Sequence, residues 1–437
     1  LTEMAYEVAA VRPGIGVNNS ISEFIKRHQE NKKVPHVNHS WEYDHPYEKR
    51  ALERTLGIIL FQDQINQLSI DVAGLSPLEA DRLRRAFNMG SNKENRLREI
   101  KIYKDKFMVG SKSNGVPEEV AEKIFAKFNG QYMFPEAHAF AFGVTAYQMS
   151  WLKYYYPLEF YVSLYNQQPM GFYSVESIKE DAKRHNIKIL NPAINISEEK
   201  FSIHENSILI GLNHVKNISV SEVKKILRER NLNGRFSTLG EFMERTYISR
   251  RVLENLTYSG AFDLFNKNRR ETIWEIGLRY KPESAQKSLP MPVIQDMPSL
   301  KPLNQMEEMG KEYSVMGLYP RGHLMKLLRS NLPKHILSSK DLISITDGYQ
   351  VVVAGVVIRR QHPSAKAVFM TLEDEYGHIP IIIWPNKYEG LRHVLSQPIL
   401  IIQGKLSKKN GGSIIILSKV KPLDSSIRVP RNFKNWR

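Results

Sequence analysis

The C-terminal region contains five runs rich in valine and isoleucine, and their spacing constrains the fold more than any other feature of the chain. Turn signals such as Glu375–Gly377 and Lys409–Gly412 separate the runs, as expected for short strands. A helical piece at Lys387–Leu395 lies between the third and fourth runs. This order predicts an all-β, OB-type barrel, a fold that commonly binds single-stranded nucleic acid. The runs are Tyr349–Arg360, Ala367–Leu372, Ile379–Trp384, Ile399–Leu406 and Ser413–Val420.

The first 165 residues have a different pattern, in which apolar residues recur at helical spacing. Leu52–Ile70 and Pro77–Phe87 show this spacing, and Ser76 with the following proline forms an N-cap and first-turn pair. Pro117–Phe128 predicts another short helix. Ala137–Tyr155 is apolar on nearly every side and predicts a helix buried in a core.

The middle of the chain mixes both patterns. Strand-like pieces at Lys188–Leu190 and Ser207–Ile210 accompany two turn-linked helix pairs, around Gly211–Glu229 and Leu239–Phe265. A proline-rich stretch that suits an extended linker then leads into a helical piece at Met306–Leu328. The chain is therefore predicted to be multidomain, mainly α before the barrel. The predicted boundaries are 1–165, 166–284, 285–345, 346–423 and a basic tail at 424–437.

Composition favours a polyanionic partner. The 437 residues include 62 lysines and arginines against 46 acidic residues, a net charge of +16. Nucleic acid fits this balance better than a membrane surface, because no long apolar run or strongly basic amphipathic helix is present. The absence of cysteine excludes disulfides, thiolate zinc sites and a cysteine nucleophile, and suits the cytoplasm. Because the sequence opens at Leu1 without a methionine, we expect a piece of a longer polypeptide.

Two adjacent arginines, Arg84 and Arg85, are the first candidates for phosphate binding. They follow the apolar run Gly57–Gln64, and a guanidinium beside a buried wall can pair two phosphate oxygens at once. The alternative is that both lie on a solvated helix face. His138, at the start of the predicted buried helix, can either donate to a phosphate or cap and satisfy the core.

Two further regions carry residues suited to nucleic acid. Ile210–Ile218 resembles the tight turn of a helix-hairpin-helix, whose backbone amides and nearby Lys216 can hold a DNA phosphate, or whose role is purely structural. Asn217 stands where such motifs prefer glycine, and asparagine tolerates a left-handed backbone. Arg250 and Arg251 form the basic edge of a second helix pair.

In the barrel, cationic and aromatic residues could form the stacking surface that a single strand needs. The alternative is that the two aromatic residues belong to the core. Paired carboxylates in a strand context, a serine elbow, a phosphate loop and an HExxH motif are all absent from the sequence, so no catalytic or metal-binding residue is predicted. The barrel candidates are Arg359, Arg360, Lys366, Phe369 and Trp384.

Taken together, these segments resemble the bacterial C-family DNA polymerases, the family of the polymerase III alpha subunit. The resemblance covers nearly the whole chain, and Gln168–Tyr173 with Glu180–His185 looks most like the error-prone, damage-inducible branch. It rests on six ordered motifs: Val11–Gly14, Gly57–Gln64, Ala80–Ala86, Phe134–His138, Trp151–Pro157 and Arg250–Glu254.

The resemblance implies template-directed DNA synthesis in lesion bypass or repair, with residues 1–165 as the fingers domain and 166–284 as a hairpin DNA-binding domain. Arg84, Arg85, His138 and Gln62 would bind the incoming nucleotide, and Arg12 would contact DNA. Ala137 departs from the family, which tends to have serine there, and this removes a hydroxyl from the expected pocket.

The resemblance also implies residues and partners beyond this chain. The catalytic aspartates and their Mg²⁺ would belong to a palm upstream of Val11–Gly14, so the chain by itself would be inactive. Primer-template DNA, single-stranded DNA and dNTP are the implied partners, and a sliding clamp and other mutagenic-complex proteins stay open. The alternative is a non-catalytic DNA-binding or scaffold protein that retains the hairpin and barrel modules. An RNA-binding protein such as a synthetase is less favoured, because no synthetase signature accompanies the barrel.

Overall fold

The structure is a computed structural model that describes residues 2–10, 20–33, 43–88, 93–128, 134–171, 173–280, 298–361, 367–409, 412–423 and 435–436. The chain forms two compact units, Leu1–Leu152 and Lys153–Arg437.

The first unit is helical, and no strand occurs among its described residues, as the apolar spacing predicts. The last helix, α8, continues to Tyr155 and so enters the second unit. The helices are α1 Thr2–Ala10, α2 Ser20–Lys33, α3 Lys49–Leu52, α4 Gln62–Ala73, α5 Pro77–Asn88, α6 Lys93–Ser113, α7 Glu118–Ala126 and α8 Glu136–Tyr155.

The prediction of continuous helical structure across Leu52–Ile70 is wrong in its first half. Leu56 and Gly57 adopt left-handed φ values of 57° and 81°, which end the helix, and α4 begins only at Gln62. The Gln64 side chain fixes the connection, because its Oε1 accepts hydrogen bonds from the backbone amides of Leu60 and Phe61 at 2.8 and 3.0 Å. A buried side chain therefore satisfies the amides that a continuous helix would have bonded internally.

The prediction that Ala137–Tyr155 is buried in a core is also wrong. Only Ala139 and Gly143 of α8 are buried. At Gly143 a Cβ would lie 3.0 Å from the Ala5 nitrogen, so this small residue permits close contact with α1. Large apolar side chains elsewhere on the helix are exposed, among them Phe142 at 54% and Trp151 at 43%. The helix is apolar on all sides, but the described residues cover only the side with small residues.

The second unit begins with helices and a small sheet of order β1-β3-β2. The predicted strand-like pieces and helix pairs are present, whereas the predicted helix Met306–Leu328 is two helices, because Gly317 adopts a φ of 75°. The elements are α9 Pro157–Asn166, α10 Val175–Arg184, β1 Ile189–Leu190, β2 Ser202–His204, β3 Ser207–Leu209, α11 Val220–Asn233, α12 Leu239–Thr246, α13 Arg250–Ser259, α14 Arg269–Arg279, α15 Gln305–Met316 and α16 Leu324–Arg329.

The unit ends in the predicted OB-type barrel. Antiparallel pairing of β5 with β8 closes the sheet, β7 pairs with β9 in parallel, and α17 lies between β7 and β8. Valine, isoleucine and leucine side chains from the strands fill the interior. The elements are β4 Ile336–Leu337, β5 Gln350–Gln361, β6 Val368–Glu373, β7 His378–Ile383, α17 Pro385–Leu395, β8 Ile399–Lys409, β9 Gly412–Pro422 and β10 Asn435–Trp436.

Candidate nucleotide site and nucleic-acid interface

Asp81 holds two of the three arginines of α5, Arg84 and Arg85. Arg84 donates from Nε and Nη2 to Asp81 Oδ1 at 3.1 and 2.6 Å, and from Nη1 to Gln62 Oε1 at 2.8 Å. Arg85 pairs through Nε with Asp81 Oδ2 at 2.7 Å. The Arg84 side chain is 17% exposed and that of Arg85 is 71% exposed. The two arginines therefore differ in exposure. Arg85 lies on a solvated helix face, whereas Arg84 is largely covered.

The start of α4 is hydrogen-bonded to the start of α8, the helix whose first turn carries His138. The Gln62 N–H donates to the Phe134 carbonyl at 3.2 Å, and Asp63 Oδ2 accepts from the Glu136 N–H at 2.6 Å. His138 is exposed in the first turn of α8, and its ring centroid lies 5.1 Å from that of Phe134. Gln62 thus contacts Arg84 through its side chain and Phe134 through its backbone, and the Phe134 ring in turn lies against His138.

Sequence reasoning missed the residues that position these groups. Asp81 lies three residues before Arg84 and four before Arg85. This is the spacing of ion pairs on one helix face, so the sequence could have predicted that Asp81 pairs with them. The Arg84 hydrogen bond is the largest cause that lowers the pKa of Asp81, so this carboxyl stays ionised. Gln64 is 1% exposed, and its Nε2 donates to the Ala51 carbonyl at 2.9 Å and to Thr55 Oγ1 at 2.7 Å. A glutamine in the third position of a helix signals such a cap.

The first hairpin has the backbone that the asparagine predicts, because Asn217 adopts a φ of 66°. Ser219 then caps α11 and forms a capping box with Glu222. The Lys216 side chain, however, donates from Nζ to the Ser314 carbonyl at 2.5 Å, and the Lys216 N–H donates to the Val315 carbonyl at 2.9 Å. The lysine thus anchors the hairpin to the end of α15, which favours the structural alternative for its side chain.

A second hairpin repeats the first. Tyr247 has a φ of 46°, Ile248 is buried, and Ser249 precedes α13. Arg250 and Arg251 follow on the exposed side of the helix start, and Arg250 pairs with its own helix at Glu254 over 2.9 Å. The DNA-binding role of these arginines stays a prediction, and their exposed position suits it.

The barrel exposes some of the candidate residues and buries one of them. Phe369 and Trp384 are 42% and 48% exposed, so neither is part of the core, and Arg359 is exposed. Arg360 was predicted to lie on the same surface, but it is buried and donates to the Leu395 carbonyl at the end of α17. Successive strand residues point to opposite faces, which takes Arg360 away from a strand bound beside Arg359. Arg12 and Lys366 lie outside the described residues.

The resemblance implies Mg²⁺ at a palm outside this chain, and this stays a prediction. Within the described residues, no group of three or more histidine, aspartate or glutamate side chains could hold a metal ion. In the same part of the chain, no helix is both long and apolar enough to cross a membrane.

Family models match three parts of the chain. They describe a bacterial DNA polymerase III alpha subunit finger domain over residues 1–115, a helix-hairpin-helix motif over 186–272 and an OB-fold nucleic acid binding domain over 351–423. The chain therefore combines a segment similar to the polymerase III alpha finger domain with a helix-hairpin-helix motif and an OB-fold domain, which confirms the resemblance to the bacterial DNA polymerase III alpha subunit family.

Several proteins similar to this chain are named error-prone DNA polymerases. One from Mycolicibacterium paratuberculosis is 31% identical over 431 residues, covering 96% of this chain and 38% of the relative. One from Corynebacterium glutamicum is 31% identical over 443 residues, covering 100% of this chain and 40% of the relative. The chain thus spans about two fifths of the length of these relatives. A solved asparaginyl-tRNA synthetase from Pyrococcus horikoshii aligns over 22% of this chain and 24% of that one, at 17% identity and a TM-score of 0.20, which is too low for any inference.

Proposed function

We propose that this chain is the nucleotide-positioning and DNA-binding part of a template-directed DNA polymerase that performs error-prone lesion bypass or repair synthesis. The observation that carries the proposal is Arg84, a guanidinium that Asp81 and Gln62 hold in place in a chain whose relatives are named error-prone DNA polymerases.

In this proposal Arg84 and Arg85 bind the triphosphate of the incoming dNTP. Phosphoryl transfer depends mostly on alignment and on stabilisation of negative charge, and two adjacent guanidinium groups supply both. The two Nη atoms of Arg84 each use one N–H in the bonds to Asp81 and Gln62, so each retains a second N–H for a phosphate oxygen. The exposed His138 ring would add a donor beside them.

The hairpins and the barrel would bind DNA. Arg250 and Arg251 at the second hairpin are placed to contact the backbone of primer-template DNA, and such contacts do not depend on sequence. Phe369, Trp384 and Arg359 would bind single-stranded template by stacking and charge. A sliding clamp and other proteins of a mutagenic complex are further proposed partners, and the cytoplasm is the proposed location.

The metal-dependent step belongs to other residues in this proposal. Aspartates of a palm would hold Mg²⁺, which neutralises the transferring phosphates when bound. The 437-residue chain alone would bind DNA without extending a primer, and primer extension by the purified chain with Mg²⁺ and dNTP would contradict this.

The test is substitution in the full-length enzyme. Arg84→Ala and Arg85→Ala should each raise the KM for dNTP, by about ten-fold or more for Arg84, because a positioned phosphate contact is lost. The dissociation constant for primer-template DNA should stay within about two-fold. Arg82→Ala, an exposed arginine of the same helix, is the matched control and should change neither value. An equal loss of DNA affinity would move the arginines to the template path instead.

The same experiment separates the second candidate function. If the full-length protein binds DNA but incorporates no nucleotide with Mg²⁺ and a matched primer-template, then the non-catalytic DNA-binding or scaffold protein replaces the polymerase proposal.

A further inference from the structure

An open groove of about 530 Å³ lies at one end of the barrel, beside the turn between β6 and β7. Its lining includes Lys340, Ile343, Tyr376, His378 and Ser413. Phe369 and Trp384 do not line it and lie at the opposite ends of β6 and β7, because Phe369 pairs with Ile382 whereas Glu373 pairs with His378. The groove is therefore a separate place on the barrel from the aromatic pair considered above.

A buried carboxylate holds in place the residues that line this groove. Asp374 is fully buried, and its Oδ1 accepts from the Tyr376 N–H at 2.9 Å, the Gly377 N–H at 3.0 Å and the Ser339 hydroxyl at 2.6 Å. Its Oδ2 accepts from the Ser339 N–H at 2.6 Å. One side chain thus fixes the β6–β7 turn to the segment that carries Lys340. A turn that only reversed the chain would not need this link.

The fixed turn presents an aromatic ring and a cation to solvent. Tyr376 is 56% exposed, and Lys340 Nζ lies 5.7 Å from its ring centroid. An exposed tyrosine is ordinary on a mobile loop, but here the backbone amides of Tyr376 and Gly377 donate to the buried Asp374 carboxylate. The ring is therefore preorganised, which lowers the entropy cost of stacking a ligand on it.

The acidic residues around the groove are already engaged. Arg329 donates from Nε and Nη2 to the two carboxylate oxygens of Glu375 at 2.7 and 3.1 Å. Glu373 pairs with Arg184 at 2.5 Å and with His378 at 3.0 Å. Lys340, by contrast, has no ion pair within the described ranges, so its charge is available to an anionic ligand.

We propose that this groove binds a nucleotide of a single DNA strand, with its base stacked on Tyr376 and its phosphate paired with Lys340. The inference rests on the proposed DNA-binding function of the barrel and extends it to a second contact point. Phe369 and Glu373 are four residues apart on β6, which places the two aromatic positions at least ~13 Å apart along the strand. A strand that reaches both fits the footprint of about 4–16 nucleotides known for OB folds.

The test compares binding of oligothymidylates to the full chain by fluorescence anisotropy. Tyr376→Ala should weaken binding of an oligomer of about 16 nucleotides by about five-fold or more, because stacking on one aromatic ring is lost. An oligomer of about 4 nucleotides should lose less, because it can occupy the Phe369 end alone. Tyr376→Phe should restore binding. Lys340→Gln should lower the salt dependence of binding by about one counterion.

The controls separate this inference from the proposed function. Tyr349→Ala removes a 63% exposed tyrosine of the same barrel that does not line the groove, and should leave binding unchanged. If Phe369→Ala weakens binding while Tyr376→Ala does not, the groove is not a nucleotide site although the barrel still binds DNA. If neither variant nor added salt changes binding, the barrel does not bind single strands, and both this inference and the proposed role of the barrel fail, while the dNTP test of Arg84 is unaffected.

Discussion

At the scale of single residues, Asp81 decides how the arginine pair works. An arginine pair read from the sequence consists of two equal charges, but one carboxylate accepts from both and leaves Arg84 half-buried and Arg85 exposed. Because the Arg84 hydrogen bond lowers the pKa of Asp81, the carboxylate stays charged and keeps the fork oriented at neutral pH. In the proposed function, Asp81 would thus be a positioning residue that acts through Arg84.

Asp81→Asn in the full-length enzyme should raise the KM for dNTP by about three- to ten-fold, because Arg84 keeps its charge but loses part of its orientation. The value of kcat should change less, and steady-state incorporation of a single nucleotide measures both. Glu79→Gln on the same helix is the control, since Glu79 contacts Ser76 and Lys106 rather than the arginines. An unchanged KM in Asp81→Asn would show that Arg84 needs no such support.

At the scale of elements, the two hairpins share one backbone arrangement, and the sequence predicts only the first of them. In each, a residue with left-handed φ is followed by isoleucine and by a serine that precedes a helix, at 217–219 and 247–249. Asn217 is a residue type that tolerates this backbone, so the first turn could be predicted. Tyr247 is not, and the buried Ile248 beside it holds the turn closed by tertiary packing. Packing across the domain cannot be read from local residue preference.

Asn217→Val should lower the free energy of unfolding by about 1–2 kcal/mol, because a β-branched residue is strained at a φ of 66°. Asn217→Gly should be neutral or stabilising by up to about 0.5 kcal/mol, since glycine adopts this backbone without strain. Urea denaturation of the chain followed by circular dichroism measures both. Asn213→Val is the control, being exposed without a positive φ. Equal losses at 213 and 217 would argue that turn strain is not the cause.

The kind of each element could largely be predicted, while the face it buries often could not. The barrel strands and α17 follow from alternation and turn residues, which are local signals. The exposure of α8 could not be predicted, because a helix with apolar residues on every side carries no information about which side is covered. Arg360 was misplaced for a related reason, since the strand has a bulge between Val357 and Arg359 that shifts its register against β6.

At the scale of the whole molecule, a buried charged network joins parts of the second unit that are distant in sequence. Lys179 of α10 is fully buried and pairs with Glu176 at 2.7 Å and with Glu180, and donates to the Gly322 carbonyl at 2.7 Å. The Tyr313 hydroxyl donates to Glu176 Oε1 at 2.6 Å. The segment Glu180–His185, quoted above for its resemblance to the error-prone branch, therefore begins inside this network. Tyr313 and Gly322 lie more than a hundred residues from α10, so no sequence pattern could have identified their part in the network.

This network makes stability depend on pH through His323, which is buried beside it. Burial lowers the pKa of His323 below its ordinary 6.5 and outweighs the attraction of Glu180. Burial alone would raise the pKa of Glu180, but Lys179 and His323 together lower it. Both groups therefore bind fewer protons in the folded state than in the unfolded state. Stability from His323 is complete above about pH 6.5 and declines as pH falls towards its lowered pKa, and the loss from Glu180 follows at lower pH.

Acidification from about pH 7 to about pH 5.5 should therefore lower the free energy of unfolding of the second unit by up to ~1.4 kcal/mol per pH unit for the His323 proton. The melting temperature, which measures this loss, should fall with it. His323 Nδ1 also accepts from the Met325 N–H at 3.1 Å, capping α16. His323→Asn keeps a side-chain acceptor for that cap but cannot take up a proton, so it should flatten the pH dependence without abolishing folding. His335→Asn, which replaces an exposed histidine near the barrel, should leave the dependence as it is. A wild-type slope retained in His323→Asn would place the acid sensitivity elsewhere, because then the buried imidazole would not be the group that the unfolded chain protonates.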